Sequence, residues 1–196
     1  MKLKEEKTLV IVKPDGVKRG LLGEILRRIE QRGLKVVALQ MFQATKEQLN
    51  AHYSSAEANL KAMGEKTLAT YQKHGMDAVK EIGTNDPVKI GGMVHGWITE
   101  FMSSGPVVKF IVEGLHAVEM VRKIVGATMP SAAEMGTIRG DYSVDSAVLA
   151  NAQKRGVRNI VHASGNVAEA EAEIKLWFKP EEIHSYIRAE EEIMGY

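Results

Sequence analysis

The order of apolar and polar positions along the chain predicts strands interleaved with helices. Thr8 to Val12 (TLVIV) is a short β-branched apolar run, the pattern of a buried strand. Lys13-Pro14-Asp15-Gly16 interrupts it, because Pro and Gly punctuate regular structure. From there Leu21, Leu22, Ile25, Leu26 and Ile29 recur along one helical stripe. Gly33 should end that helix, with Arg27, Arg28 and Arg32 near the negative end of its dipole. Leu34 to Phe42 predicts a second strand, and Val107 to Val112 (VVKFIV) a third. Thr45-Lys46-Glu47-Gln48 has capping-box spacing and predicts a helix through His52. Helical faces also appear over Val88–Ser103 (Ile90, Val94, Trp97, Phe101), Ala117–Val125 (Val118, Val121, Val125) and Val167–Trp177 (Val167, Ala170, Ile174, Trp177). Ile160 to His162 predicts a short strand.

Three stretches are harder to read. Ala, Lys and Glu dominate residues 55–90, and Gly64, Gly75 and Gly83 divide them, so short helices separated by loops are expected. Periodicity is lost from Gly126, and Pro130, Gly136 and Gly140 predict a long loop. Residues 143–156 assign to no element. There is no internal repeat or low-complexity linker. The interleaving points to one α/β or α+β domain with the strand order left open.

Composition narrows the function classes. A chain of 196 residues that is 44% apolar can bury one substantial core. Lys plus Arg is 26 against 25 for Asp plus Glu, so no global field directs the protein to nucleic acid or membrane. A long basic aromatic face, which nucleic acid would need, is also lacking. Cysteine is absent, which excludes disulfides, thiolate nucleophiles and Cys-ligated zinc. The opening MKLKEEKTLVIVK lacks a signal-peptide core, and no apolar run reaches bilayer length, so a cytoplasmic protein is expected.

Histidine occurs at 52, 74, 95, 116, 162 and 184. His162 is distinguished by its neighbours. It ends the run Ile160-Val161, and the small residues Ala163, Ser164 and Gly165 follow, which leaves its side chain accessible. Imidazole titrates near 6.5, so at pH 7 it is largely a neutral nucleophile. Glu173, on the next helix, is placed to accept the other ring N–H and fix the tautomer. The competing reading, that Glu169 and Glu173 form an exposed i, i+4 row, fits the residues slightly better. Phosphoryl transfer requires cations and N–H donors around the phosphate oxygens. Lys13, Arg122, Thr128, Arg139 and Asn159 all lie at breaks or element ends, where sites concentrate. GxxxxGK[ST], GxGxxG after a strand, and HExxH are all missing, so any nucleotide is held by another architecture.

Five blocks in order resemble the nucleoside diphosphate kinase family: Val12-Lys13-Pro14-Asp15-Gly16-Val17 with Arg19-Gly20-Leu21; Ser104-Gly105-Pro106-Val107 leading to Glu113-Gly114; Gly136-Thr137-Ile138-Arg139-Gly140-Asp141; Asn159-Ile160-Val161-His162-Ala163-Ser164; and Leu176-Trp177-Phe178. The resemblance implies a ferredoxin-like α/β fold, a four-stranded antiparallel sheet surrounded by helices. It implies one domain over 1–196, with an inserted helical segment at about 57–100 and a second insertion at about 144–157. It implies ping-pong transfer of a γ-phosphate to a nucleoside diphosphate through Nδ1 of His162. Glu173 and Ser164 would support that histidine. Lys13, Tyr53, Arg122, Thr128, Arg139 and Asn159 would grip phosphates and ribose. Mg²⁺ would arrive bridging the nucleotide phosphates, with no metal site in the protein.

The Gly126–Glu134 loop with Pro130 resembles the loop through which family members associate, implying a homo-oligomer, a hexamer ahead of a tetramer. Contacts confined to phosphate and sugar would leave ADP, GDP, CDP and UDP used comparably. The sequence departs from the pattern where the family stacks its base on an aromatic. Asn59-Leu60-Lys61 offers none, so Leu60 or a residue of the inserted segment takes that role. Gly165 stands where the family often has an acidic residue. A regulatory binding protein of the same fold and a phosphohistidine carrier are the alternatives.

Overall fold

The computed structural model describes residues 5–194. In chain order its elements are β1 (Glu6–Val12), α1 (Pro14–Lys18), α2 (Leu22–Gln31), β2 (Lys35–Phe42), α3 (Lys46–His52), α4 (Glu57–Lys73), α5 (Ala78–Ile82), α6 (Pro87–Ser103), β3 (Val107–Gly114), α7 (Ala117–Val125), α8 (Ile138–Tyr142), α9 (Ala147–Ala152), β4 (Val161–Ala163), α10 (Val167–Trp177) and α11 (Ala189–Met194). Short 3-10 turns occupy Pro130–Ala132 and Pro180–Glu182.

The strands form a four-stranded sheet in the order β2-β3-β1-β4, with every pairing antiparallel. This is the ferredoxin-like arrangement expected. The central strands are buried almost throughout, β1 from Thr8 to Val12 and β3 from Val107 to Val112 with Lys109 included, because helices cover both faces of the sheet. Successive side chains point to opposite faces, which divides the core in two. Val10, Val12, Val108, Phe110 and Val112 pack with Ile25 and Ile29 of α2 and Val121 and Val125 of α7. Leu9, Ile11, Val107 and Ile111 pack with Leu49 of α3, Met102 of α6 and Trp177 of α10. Lys35 on β2 is buried and pairs with Glu5 at 3.3 Å, Glu113 at 3.4 Å and Glu191 at 3.0 Å, which ties α11 to the sheet.

Local signals account for most boundaries. The capping box forms as expected: Thr45 Oγ1 accepts the Gln48 N–H, and Gln48 Oε1 accepts the Thr45 N–H, both at 3.2 Å. Gly33 follows α2 with φ 86°, a left-handed conformation that costs other residues more. Pro14 does more than break a strand: it opens α1 from the first helical position, where its missing N–H costs nothing.

The expectation for residues 55–90 is corrected. One long helix, α4, runs through Gly64. A Cβ on Gly64 would lie 1.8 Å from the Pro87 carbonyl oxygen, and one on Gly91 would lie 1.8 Å from that of Leu60. The two glycines therefore let the backbones of α4 and α6 touch, and Gly64 is a contact rather than a breaker. The segment after Gly126 is also more ordered than a long loop. Thr137 Oγ1 caps α8 by accepting the Gly140 N–H at 3.1 Å, and Ser146 Oγ caps α9 through the Leu149 N–H at 3.2 Å. β4 begins one residue later than expected, at Val161.

Gly91→Ala should lower stability by about 1–3 kcal/mol, the usual cost of overpacking a close contact. Urea unfolding checks this, and an unchanged midpoint would contradict the backbone contact.

Candidate active site

The site is built outward from β4. Ile160 sits just before it with φ 69°, a costly conformation for a β-branched residue. Its surroundings hold it there. Its N–H donates to Asp15 Oδ2 at 3.0 Å, its carbonyl accepts the Lys13 N–H at 2.8 Å, and its side chain is fully buried. This turn sets the pairing of β4, with Val161 opposite Val12 and His162 opposite Ile11. Val161 therefore enters the core with Val10 and Val12, while His162 faces α3 and α10.

His162 does not stand free at a strand end as expected. It is the middle residue of β4, and its side chain is 16% exposed. Its Nε2 lies 3.0 Å from Glu173 Oε2. A carboxylate only accepts, so Nε2 carries the hydrogen and Nδ1 keeps its lone pair. The exposed-row reading of Glu173 fails: Glu169 is exposed, but Glu173 is buried. Ser164 Oγ donates to Glu173 Oε2 at 2.6 Å and accepts the Leu9 N–H at 3.3 Å, locking the carboxylate to β1. Burial raises the Glu173 pKa, and the Ser164 hydrogen bond opposes that shift.

The sequence reading missed His52. It ends α3 with a side chain 1% exposed, its ring 4.6 Å from that of His162. Trp177 Nε1–H donates to His52 Nδ1 at 3.1 Å. No local pattern separates His52 from the other histidines; only packing brings it here. Burial pushes His162 down to about 3, assisted by the Lys13 cation. It pushes His52 to about 3 as well, assisted by His162. Both rings are neutral at pH 7. His52, His162 and Glu173 form the one His/carboxylate cluster compact enough for a metal among the described residues. Trp177 and Glu173 already engage the facing nitrogens, and two imidazoles are poor donors for a hard ion such as Mg²⁺.

The expected basic and polar residues converge on a cavity of about 710 Å³ whose wall includes Lys13, Tyr53, Arg122, Thr128, Arg139, Asn159 and His162. Lys13 Nζ donates to Asn159 Oδ1 at 2.7 Å, and Asn159 Nδ2 donates to the Thr128 carbonyl at 2.9 Å. Arg139 donates to the carbonyls of Asn159 (3.2 Å), Gly126 (2.8 Å) and Val161 (2.6 Å). Burial, then the charge of Arg139, brings Lys13 down to about 8; burial, then Arg122, brings Arg139 down to about 10. The Tyr53 hydroxyl is buried without a partner, and burial followed by the Glu173 charge raises its pKa. Glu173 and Ser164 stand behind His162.

Leu60 is a correction. It does not line the cavity, and its carbonyl instead packs on Gly91. Val94, Trp97 and Phe101 of α6 form the apolar wall, because the α4–α6 contact turns that face of α6 inward. Nothing in the structure explains Gly165: a Cβ there would meet only the tip of the exposed Glu169 side chain, at 2.4 Å, which is free to swing aside.

The family model described as nucleoside diphosphate kinase matches residues 6–81 and 89–183. The chain belongs to the nucleoside diphosphate kinase family. Among its relatives in that family, the nucleoside diphosphate kinase of Pyrobaculum aerophilum is 50% identical over 178 residues, which is 91% of this chain and 97% of the relative. Human nucleoside diphosphate kinase B is 36% identical over 181 residues, covering 92% and 91% of the two chains. The crystal structure of the Pyrobaculum aerophilum NDP kinase superposes with a TM-score of 0.89 at 48% identity, covering 93% of this chain and all (100%) of that one. A transition-state mimic of the Borrelia burgdorferi enzyme with bound vanadate and ADP gives 0.75 at 37% identity, with 95% of each chain covered.

Burying two neutral imidazoles links stability to pH. In an unfolded chain each titrates near 6.5, whereas in the fold both lie at about 3. The unfolded state therefore binds more protons below pH 6.5. Stability is complete above that pH and falls as pH drops toward 3, with uptake approaching about two protons per unfolding event near pH 5. Urea denaturation between pH 7 and 5 should show this slope, and His52→Gln should remove about one proton from it.

Proposed function

We propose that this protein is a nucleoside diphosphate kinase working by a ping-pong route through phosphorylated His162. The observation that carries the reading is a neutral imidazole with Nε2 held by Glu173 and Nδ1 unengaged, in a cavity shared with Lys13, Arg122 and Arg139. The Nδ1 lone pair attacks the γ-phosphorus of a nucleoside triphosphate. The bond to the β–γ bridging oxygen breaks, and the diphosphate leaves with its electrons. A terminal oxygen of a second diphosphate then attacks the phosphohistidine and restores the imidazole. Glu173 stabilises the positive charge that develops on the ring when Nδ1 bonds to phosphorus. Lys13, Arg122 and Arg139 offset the charge on the transferring group, and the orphan Tyr53 hydroxyl gains a phosphate oxygen as acceptor. Mg²⁺ would enter with the nucleotide as part of the substrate and would offset the negative charge of its phosphates.

Trp97, Phe101 and Val94 supply the apolar platform for the base in place of Leu60. The reading includes one domain over 1–196, with the segments at about 57–100 and 144–157 as insertions, operating in the cytoplasm. No helix among the described residues is long and apolar enough to cross a membrane. It also includes a homo-oligomer, a hexamer ahead of a tetramer. β2 is an outer strand with Leu39 49% and Met41 55% exposed, and beyond the buried Pro130, Met135 is 82% exposed. Such surfaces favour association.

Incubation with γ-labelled ATP and Mg²⁺ should place label on the protein, stable to base and lost in mild acid, and GDP should remove it. His162→Ala should lower transfer to roughly 10⁻⁴ of wild type or less, the scale of nucleophile removal. A variant retaining full transfer would sink the assignment. Arg139→Ala should cost about 10²–10³ in kcat/KM, because one donor among several is lost. Equal losses in the two variants, measured by steady-state kinetics, would contradict these roles.

A further inference from the structure

α6 carries two faces. Val94, Trp97 and Phe101 line the cavity that holds His162. His95, Thr99 and Ser103, spaced four apart on another stripe, line a second cavity of about 440 Å³ with Lys46 and Asn50 of α3. His95 is half-buried and is not part of the first cavity's wall. It still reaches the site's own backbone. Its Nε2 lies 2.7 Å from the Tyr53 carbonyl oxygen. A carbonyl only accepts, so Nε2 carries the hydrogen and donates it.

Tyr53 is the residue at which α3 ends, and carbonyls at a helix C-terminus find no partner inside the helix. His95 supplies one, so the backbone of Tyr53 is held on both sides. Its N–H donates to the Leu49 carbonyl at 2.8 Å, which fixes the peptide before it. Its carbonyl receives the His95 N–H, which fixes the peptide after it. With both planes set, at φ −98° and ψ 82°, the direction of the side chain is set too. The ring then packs edge-on against His52, 4.6 Å away, and the hydroxyl is buried without a partner among the described residues. Gln43 Nε2 donates to the Ser103 carbonyl at 2.8 Å and ties the far end of α6 to the segment leading into α3, so the helix that carries His95 is anchored twice.

Resting on the kinase reading, we infer that His95 is a positioning residue for phosphoryl transfer: by holding the Tyr53 carbonyl it aims the Tyr53 hydroxyl at the phosphate. It touches neither the nucleotide nor the reacting atoms. Hydrogen bonds weaken steeply once donor and acceptor lose alignment, and small misplacements in an active site cost rate out of proportion to their size. A Tyr53 freed to turn about ψ would keep its hydroxyl and lose its aim. The same rigid helix bears Trp97 and Phe101, so α6 sets the apolar wall and the Tyr53 hydroxyl together.

A double-mutant cycle tests this, with kcat/KM for transfer from ATP to GDP measured on the full-length wild type, His95→Leu, Tyr53→Phe and the pair combined. His95→Leu should lose about tenfold, the scale of one hydrogen bond. The combined variant should match Tyr53→Phe within about twofold, because the hydroxyl that His95 aims is already gone. His95→Gln keeps an N–H donor and should stay within about threefold of wild type; the cavity beside His95 has room for either side chain. A merely structural His95 would make the two losses multiply. That result, or a His95→Leu variant as active as wild type, would overturn the inference. His95→Met takes the place of His95→Leu in the cycle should the latter not fold. Absence of transfer by the wild type, with no label on His162, would count against the kinase reading instead. The cycle would then be judged by equilibrium binding of ADP with Mg²⁺, where matching affinities of the combined variant and Tyr53→Phe support the inference and multiplied losses overturn it.

Discussion

A single half-buried hydrogen bond, from His162 Nε2 to the Glu173 carboxylate, organises the site. It determines which nitrogen of the ring keeps a lone pair. It also gives a partner to a buried carboxylate that would otherwise be costly. The bond exists only because distant parts of the chain are brought together. β4 must pair with β1 in the register that turns His162 away from the Val10–Val12 core, and α10 must pack against β1 to present Glu173. The Leu9 N–H then holds Ser164, Ser164 holds Glu173, and Trp177 and His52 close the far side of the ring. Excluding water from this arrangement keeps His162 neutral.

The cations beside it are under electrostatic strain. Lys13 and Arg139 are both nearly buried, and each suffers from a neighbouring positive charge as well as from lost hydration. A bound polyphosphate relieves both penalties at once, which explains why an anion is the fitting occupant. Arg139 also has a structural part. Its three carbonyl partners join the Gly126 loop to both residues that flank Ile160, so the strained turn before β4 is braced from a second side.

Residues of 57–103 and 143–158 lie outside the sheet and build part of the cavity wall. Gly64 and Gly91 let α4 settle against α6, and this contact directs Val94, Trp97 and Phe101 inward. Gly156 then seats residues 143–158 on the same helix, and Asp145 holds that segment together through Arg155, Arg158 and Ser146.

Much of this was legible in the residues themselves. The β-branched runs of β1 and β3, the capping box at Thr45 and the stripe from Leu22 to Ile29 are short-range signals, because strand and helix periodicity are local properties of the backbone. The ordered motif blocks marked His162, Lys13, Arg139 and Asn159 in the same way. Gly64 misled because a glycine that breaks a helix and one that admits a neighbouring backbone are identical in sequence. Leu60 misled because proximity along the chain to Tyr53 says nothing about which face of α6 turns inward. Glu173 read as an exposed row and His52 as an ordinary histidine because burial and ring-to-ring distance depend on residues far away in the chain. The sequence by itself determined the elements and the chemical inventory, since both follow from near neighbours. Only the tertiary structure decided the protonation state of His162, its partners and the walls around it, since desolvation and hydrogen bonding arise from contacts between distant segments.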